Sequence, residues 1–459
     1  MAECKSPLAN PEFRKLFGAQ VVALVGTGLA TVALTLLAYD LAGGDAGVVL
    51  GKALAIKMVA YVVFAPVMGG IAHRFRRKPL LISLDLVRAM IVLVMPFVTQ
   101  VWHIYVLIFL LNVFSAGFKP VFQSSIPDIV ADERQYTQAL SYSRLAYDLE
   151  NLLSPMLAGL ALLLFSYSAL FMVNSIAFII SALLILVTVM PGAEHIDRLE
   201  GLWSEISFGI RSYLRTPRLR GMLTLYLGVA CASAMIIVNT VVYVREQLGG
   251  SEAEVALALA ASGAGSMLAA LTMPRILDYA TDRIVMLWGS VLMSMGLIAL
   301  YGSPGYSAVL PIWFVIGAGW SLVQTPAGRV VNRSSSVTDR TSYFSAQFAL
   351  THACWMFAYP VTGLLGAALG IGTTGLLLGI AVGLFAVLGA IVWPRDDPQA
   401  LEHSHAEMNH HHGHVHDEHH EHPHIAAGNP EAHGHEHRHK EITHSHVFVI
   451  DGHHPLWPD

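Results

Sequence analysis

Charge is what this chain has least of. Only 13% of its 459 residues are Asp, Glu, Lys or Arg, about half the ~25% usual for soluble domains, while 54% are hydrophobic. The stretches "AGGDAG", "TQVWH", "SYS", "YGSPGYS" and "LGIG", each between two long apolar runs, hold no Lys or Arg at all. Cysteine is scarce as well. Cys4, Cys231 and Cys354 form no CxxC pair, which argues against a zinc module and reads as ordinary reduced thiols. No hydrolase triad, GxxxxGK[ST] loop or HExxH pattern occurs. The chain is therefore read as no enzyme, and work on a cargo would draw on an ion gradient, not on nucleotide hydrolysis. The polar start "MAECKSPLANPEFRKLFG" lacks the small-residue cleavage site of a signal peptide, so the first apolar run is expected to serve as its own insertion signal.

What is present is apolar length. A helix needs about 20 apolar residues to cross a hydrocarbon core roughly 30 Å thick. The chain supplies such runs at 17–41, 47–72, 79–99, 103–125, 141–165, 168–190, 219–245, 253–276, 284–303, 308–331, 343–367 and 370–393. The runs do not alternate polar and apolar residues as barrel strands do. The expectation is an all-α membrane protein of twelve transmembrane helices: a six-helix half at 1–190, a linker at 191–218, a second six-helix half at 219–393, and a tail at 394–459. In the linker, Leu199, Leu202, Ile206, Ile210 and Leu214 recur at helical spacing with arginines opposite, the pattern of an amphipathic helix on a membrane surface.

Positive charge gathers on alternate loops. Arg74, Arg76, Arg77 and Lys78 form one group and Arg134 the next. Arg198, Arg211, Arg215, Arg218 and Arg220 follow, then Arg275 and Arg283, then Arg329, Arg333 and Arg340. The positive-inside rule puts these loops, and with them both termini, in the cytoplasm.

An ionisable residue at the centre of a crossing costs about 2.5–3.5 kcal/mol on insertion scales, so each needs a reason. In "SYSRLAYDLENLLSPMLAGL", Arg144 and Asp148 stand i,i+4 and can pair along one face. Glu150 lies about 13 Å into its expected crossing at 1.5 Å per residue, near the midplane where transporters bind their substrates. It is the first candidate for a cation- or proton-binding carboxylate, with Asp148 second. The plainer reading is an acid bracing the bundle through Lys57, which lies at similar depth. His352 and Met356 at i,i+4, and Cys231 and Met235 likewise, offer softer ligands; a packed, hydrogen-bonded histidine is the plainer reading of His352. Asp85 and Arg88 at i,i+3 read as an intrahelical brace, and Lys119, before Pro120, as a snorkelling residue near a helix end.

Between the second and third crossings stands "GGIAHRFRRKPLL", Gly69 to Leu81. It resembles the G-x-L-A-D-R-x-G-R-K-x-x-L loop of the major facilitator superfamily. Gly69, Ile71, Ala72, Arg74, Arg77, Lys78 and Leu81 fall on matching or similar positions, while His73 replaces the acid and Arg76 the second glycine. A weaker copy, "PRILDYATDRIVM", sits between the eighth and ninth crossings with Asp278 at the acidic position. The resemblance implies two parallel six-helix repeats and a loop that latches helix ends between states, with Asp278 taking over the latch that His73 has lost.

Residues 394–459 break with everything before them and hold 19 of the 23 histidines. Low apolar content with scattered Gly and Pro argues for a disordered segment. The candidate metal ligands are His403, His405, His410, His411, His412, His414, His416, His419, His420, His422, His424, His433, His435, His437 and His439. Imidazole suits Zn, Cu, Fe and Ni; a pH-responsive tail is the alternative. A twelve-helix facilitator with such a tail resembles the bacterial nickel-resistance exporters of the superfamily. That implies a monomer in the cell inner membrane, with lipid, metal ions and protons as its partners, no nucleic acid and no resident cofactor. It would export nickel, with cobalt next, in exchange for protons, and the tail would collect or buffer nickel, cobalt or zinc. Two competing readings are an exporter of an organic substrate (a siderophore, metal complex or drug) with a metal-sensing tail, and a membrane-anchored metal store. An aromatic-lined cavity would favour the organic substrate.

Overall fold

The computed structural model describes residues 6–72, 74–191, 202–397, 400–405, 408–414, 433–439, 442–450 and 457. Its helices are α1 (Pro11–Ala42), α2 (Ala46–Ala72), α3 (Arg77–Val94), α4 (Val101–Ile129), α5 (Glu133–Leu162), α6 (Tyr167–Leu186), α7 (Leu202–Arg215), α8 (Pro217–Val241), α9 (Glu252–Ile276), α10 (Asp282–Ala299), α11 (Tyr306–Arg333), α12 (Arg340–Leu369) and α13 (Ile371–Val392). Several start earlier than their apolar runs because capping residues, not hydropathy, set the first turn. Asn10 accepts from the Glu12 amide at 2.9 Å ahead of Pro11. Asp132 accepts from Gln135 at 2.8 Å, and Ser251 with Glu254 closes a capping box on α9.

Among the described residues, eleven helices are long and apolar enough to span a membrane: α1–α4, α6 and α8–α13. That is one fewer than the twelve crossings expected. The difference is α5, whose 30 residues are ample in length but include Glu133, Arg134, Arg144, Asp148 and Glu150. Long apolar side chains such as Ile176, Leu183, Leu384 and Ile391 face outward, as lipid-facing surfaces do.

The two halves repeat one packing scheme. α1 lies on α6 as α8 lies on α13, α2 on α4 as α9 on α11, α3 on α6 as α10 on α13, and α1 on α5 as α8 on α12. The halves meet where α2 crosses α12 and α5 crosses α9. Small residues let backbones touch. A Cβ on Gly265 of α9 would stand 1.9 Å from the Phe314 carbonyl oxygen, and one on Gly317 of α11 would stand 1.9 Å from that of Ser262.

α7 is helical, but it wedges between α2 and α12 and buries Glu205, Gly209, Ser212 and Tyr213, while Leu214 and Trp203 are exposed. Leu199 lies outside the described residues. In the tail, four of the described segments are strands, where composition argues for disorder. β1 (Ala400–His405) pairs antiparallel with β4 (Ile442–Val447), and β2 (Met408–His414) with β3 (His433–His439). Alternating polar residues are compatible with a ladder wherever the backbone finds a partner.

Candidate functional site

Two places gather charge: the middle of the bundle, and the end where the Arg-rich loops converge, called the basic end below. In the middle, Arg144 reaches Asp148 at 2.8 Å as the i,i+4 spacing requires. The pair is also spoken for across the halves. Ser266 of α9 donates to Asp148 at 2.6 Å, Arg144 donates to Gln324 of α11 at 2.6 Å, and its guanidinium lies over the Trp320 ring at 5.1 Å. Asp148 is therefore a cross-link between helices, not a free carboxylate. Asp85 and Arg88 pair as the expected brace, with Ser181 on Asp85 and Arg88 packed over Phe118.

Glu150 is different. It is half-buried and, among the described residues, makes no hydrogen bond or ion pair within 4.0 Å. Lys119 and Lys57 are the cations that act on it through space. The sequence reading misplaces Lys119. α4 runs on through Pro120 to Ile129, so this lysine sits in the helix interior, where snorkelling does not account for it. Its ammonium lies 5.2 Å from the Tyr61 ring centre and 5.7 Å from that of Phe348, and Lys57 lies 5.8 Å from Tyr61. His352 closes the cluster, with ring centres 4.0 Å from Phe348, 4.8 Å from Tyr61 and 5.1 Å from Trp355. Its Nδ1 is 2.7 Å from the Phe348 carbonyl oxygen. A carbonyl only accepts, so the proton sits on Nδ1 and the Nε2 lone pair is left available. The arrangement is an aromatic wall from α2 and α12, two ammonium groups, one unpaired carboxylate and one imidazole. Among the described residues no three His, Cys, Asp or Glu side chains gather as a metal site.

At the basic end, two charge triads join the halves. Asp128, ending α4, takes Arg77 from α3 on one oxygen and Arg340 from α12 on the other. Arg329, near the end of α11, takes Asp282 from α10 at 3.1 Å and Glu133 from α5 at 2.6 Å. The second triad repeats the first with every sign reversed, since α10 and α11 are the counterparts of α3 and α4, and α5 of the first half is the counterpart of α12 of the second. Asp278 reaches Arg134 of the opposite half at 2.9 Å. Arg74 instead binds Glu205 of α7 at 2.7 Å. Lys78 is half-buried in the first turn of α3, and His73 lies outside the described residues.

Gly69 and Gly70 let α2 pack closely on α12 and α7. A Cβ on Gly69 would fall 2.5 Å from the Ser345 Cβ of α12, and one on Gly70 would fall 2.6 Å from the Ile206 Cα of α7. Ser342 donates to the Gly69 carbonyl at 3.1 Å. Burial holds the Tyr213 hydroxyl well above the ordinary phenol range; it stays protonated and donates to Gln347 of α12. The triad residues Asp128, Arg340, Arg329, Asp282 and Glu133 were not singled out from sequence as contacts between the halves. The signal was faint: pairing the two copies of the loop would have pointed to Arg77 and Asp282 as counterparts.

Of the tail histidines, His403, His405, His410, His411, His412, His414, His433, His435, His437 and His439 lie on the described strands. His416, His419, His420, His422 and His424 lie outside the described residues.

The sequence profile of the Major Facilitator Superfamily matches residues 16–243 and, again, residues 222–448. The chain belongs to the major facilitator superfamily. It is 25% identical over 393 residues to the MFS-type transporter YfiS of Bacillus subtilis, covering 82% of this chain and 92% of that one. It is 23% identical over 196 residues to macrolide efflux protein A of Streptococcus pyogenes, covering 42% and 47%. In fold it is similar to the human organic anion transporter MFSD10, with a TM-score of 0.72 over 83% of this chain and 99% of that one at 11% identity. The protein is a multi-pass membrane transporter of this superfamily, and its relatives by sequence include efflux proteins.

Proposed function

We propose that this transporter exports a divalent transition-metal cation, nickel foremost and cobalt next, from the cytoplasm in exchange for protons. The observation that carries the reading is the tail, with 19 of the 23 histidines beyond Pro394. The tail leaves α13 at the basic end, where Asp397 is held by Arg333 at 2.7 Å and Arg218 at 3.2 Å. The positive-inside rule assigns that end to the cytoplasm, the side from which exported metal departs. On this assignment α5 is the twelfth crossing, both termini are cytoplasmic, and the two triads close the cytoplasmic mouth, so the arrangement faces outward. Glu150, unpaired and half-buried, is the carboxylate offered alternately to the cation and to a proton.

A second reading has its own support. Lys57, Lys119 and the rings of Tyr61, Phe348 and Trp355 suit an organic anion or an anionic metal complex better than a bare dication, since like charges disfavour the cation. Macrolide efflux among the relatives fits an organic cargo as well.

The test is uptake of labelled nickel, cobalt and zinc into inverted membrane vesicles under an imposed proton gradient. Gradient-dependent nickel uptake that is lost in Glu150→Gln supports the first reading. Absence of any metal flux, with gradient-driven uptake of organic anions in the same vesicles, would replace it with the second.

A further inference from the structure

The last described part of the chain does not trail away. Phe448 and Ile450 are each 2% exposed. Tyr343, fully buried in the first turn of α12, donates its hydroxyl to the Ile450 carbonyl at 2.9 Å. Trp457 sets its ring edge-on to Phe448 at 5.1 Å and takes the Arg218 guanidinium on its face at 5.0 Å. Arg218, 1% exposed, is the same arginine that holds Asp397 where the tail begins. One buried cation thus touches both ends of the stretch that contains His403 to His446.

The ladders inside that stretch follow one register. Ala400 pairs with Val447, His405 with Ile442, Met408 with His439 and His414 with His433. The register sets histidine opposite histidine at His403/His444, His410/His437, His412/His435 and His414/His433.

We infer that Phe448–Ile450 and Trp457 form an anchor that docks on Tyr343 and Arg218. The anchor closes the histidine stretch into a hairpin that binds a divalent transition metal beside the transport mouth. This rests on the reading of the tail as a metal binder and adds where and how it is held. Closing the ends in advance removes part of the chain entropy that wrapping a cation would otherwise cost, so anchoring raises metal affinity. By linkage, metal raises the strength of docking in return. The anchor shares the first turn of α12 with Arg340 and Ser342, which hold the gate, so bound metal is kept where the mouth opens.

The experiment uses the full chain in lipid nanodiscs, with nickel ion alone as the probe, and compares wild type, Phe448→Asp and Trp457→Ala. Calorimetric titration should show nickel binding weakened roughly threefold or more in both variants. Proteolysis should cut the C-terminal segment faster in the variants, and nickel should slow that cutting in wild type. Equal nickel affinity in all three proteins, or cutting of the wild type that nickel does not slow, overturns the anchor and leaves the metal-binding tail standing. Failure of the wild type to bind nickel at all overturns the tail reading and the anchor with it. A surface change unrelated to docking would leave the nickel-dependent protection intact in the variants.

Discussion

Arg329 of one half reaches Glu133 of the other at 2.6 Å while holding Asp282 of its own half at 3.1 Å. The Arg77–Asp128–Arg340 triad repeats this relation with the signs exchanged. Each triad has two members fixed within one half and a third from the opposite half, so opening the basic end breaks two contacts and leaves two intrahalf pairs intact. On parting, Glu133 is already exposed, whereas the buried Arg340 loses Asp128 and needs water in its place.

Asp128→Asn should therefore do more harm than Glu133→Gln. Asp128 is the sole acid between two largely buried arginines, whereas Glu133 is 67% exposed at its side chain and Arg329 retains Asp282. Removing one partner of a buried pair costs about 3–5 kcal/mol, and loss of an exposed pair about 0–1 kcal/mol. Maleimide labelling of a cysteine placed at Ser124, fully buried against Thr341 of the opposite half, should rise strongly in the first variant and little in the second.

Gly69→Ala should hold the basic end apart. Its new Cβ meets Ser345 side-chain atoms at 2.5 and 2.6 Å, whereas at Gly51 of α2 nothing lies within 4 Å. Gly51→Ala serves as the control and should, if anything, stabilise its helix by about 0.5–1 kcal/mol. Vesicle flux reads the difference: lost or sharply slowed in the first, unchanged in the second.

Lys119→Met separates the two cargo readings. If a bare dication binds at Glu150, removing a nearby positive charge strengthens binding by about 1–2 kcal/mol at an effective dielectric near 20, and the KM for nickel falls. If the cargo is anionic, the KM for the organic anion rises instead. The sign of the change in transport assays decides.

Deleting residues 400–459 should weaken metal tolerance without abolishing it, because the helices and both triads lie outside that segment. Growth on graded nickel gives the answer. Cells with the truncated protein that fare no better than cells lacking the transporter would mean the tail is indispensable, not auxiliary.

The sequence marked the bundle plainly, because apolar length and Arg-bearing loops are local signals: each crossing announces itself without its neighbours. The intrahelical pairs Arg144–Asp148 and Asp85–Arg88 were legible for the same reason, since i,i+4 and i,i+3 spacing fixes proximity within one helix. Lys119 was misread because Pro120 looked like a terminus, yet α4 continues through it with neighbouring helices packed around the break. Asp128 and Arg340 stand far apart in the chain, and nothing local joins them; only the crossing of α2 over α12 does. The linker misled in detail, since five leucines and isoleucines at helical spacing suggest a lipid-facing stripe, while Gly209 and Glu205 turn out to set the buried face.

The polarity of α5 bears on how the molecule is made. A segment carrying Arg144, Asp148 and Glu150 partitions poorly from the insertion machinery into lipid by itself, and the groups that satisfy Arg144 and Asp148 belong to α9 and α11, which the ribosome has not yet synthesised when α5 emerges. Biogenesis must shelter this helix, by a chaperone or by its earlier neighbours, until the second repeat arrives. The first repeat expressed alone should be prone to quality-control degradation, and co-expression of the second as a separate polypeptide should rescue it.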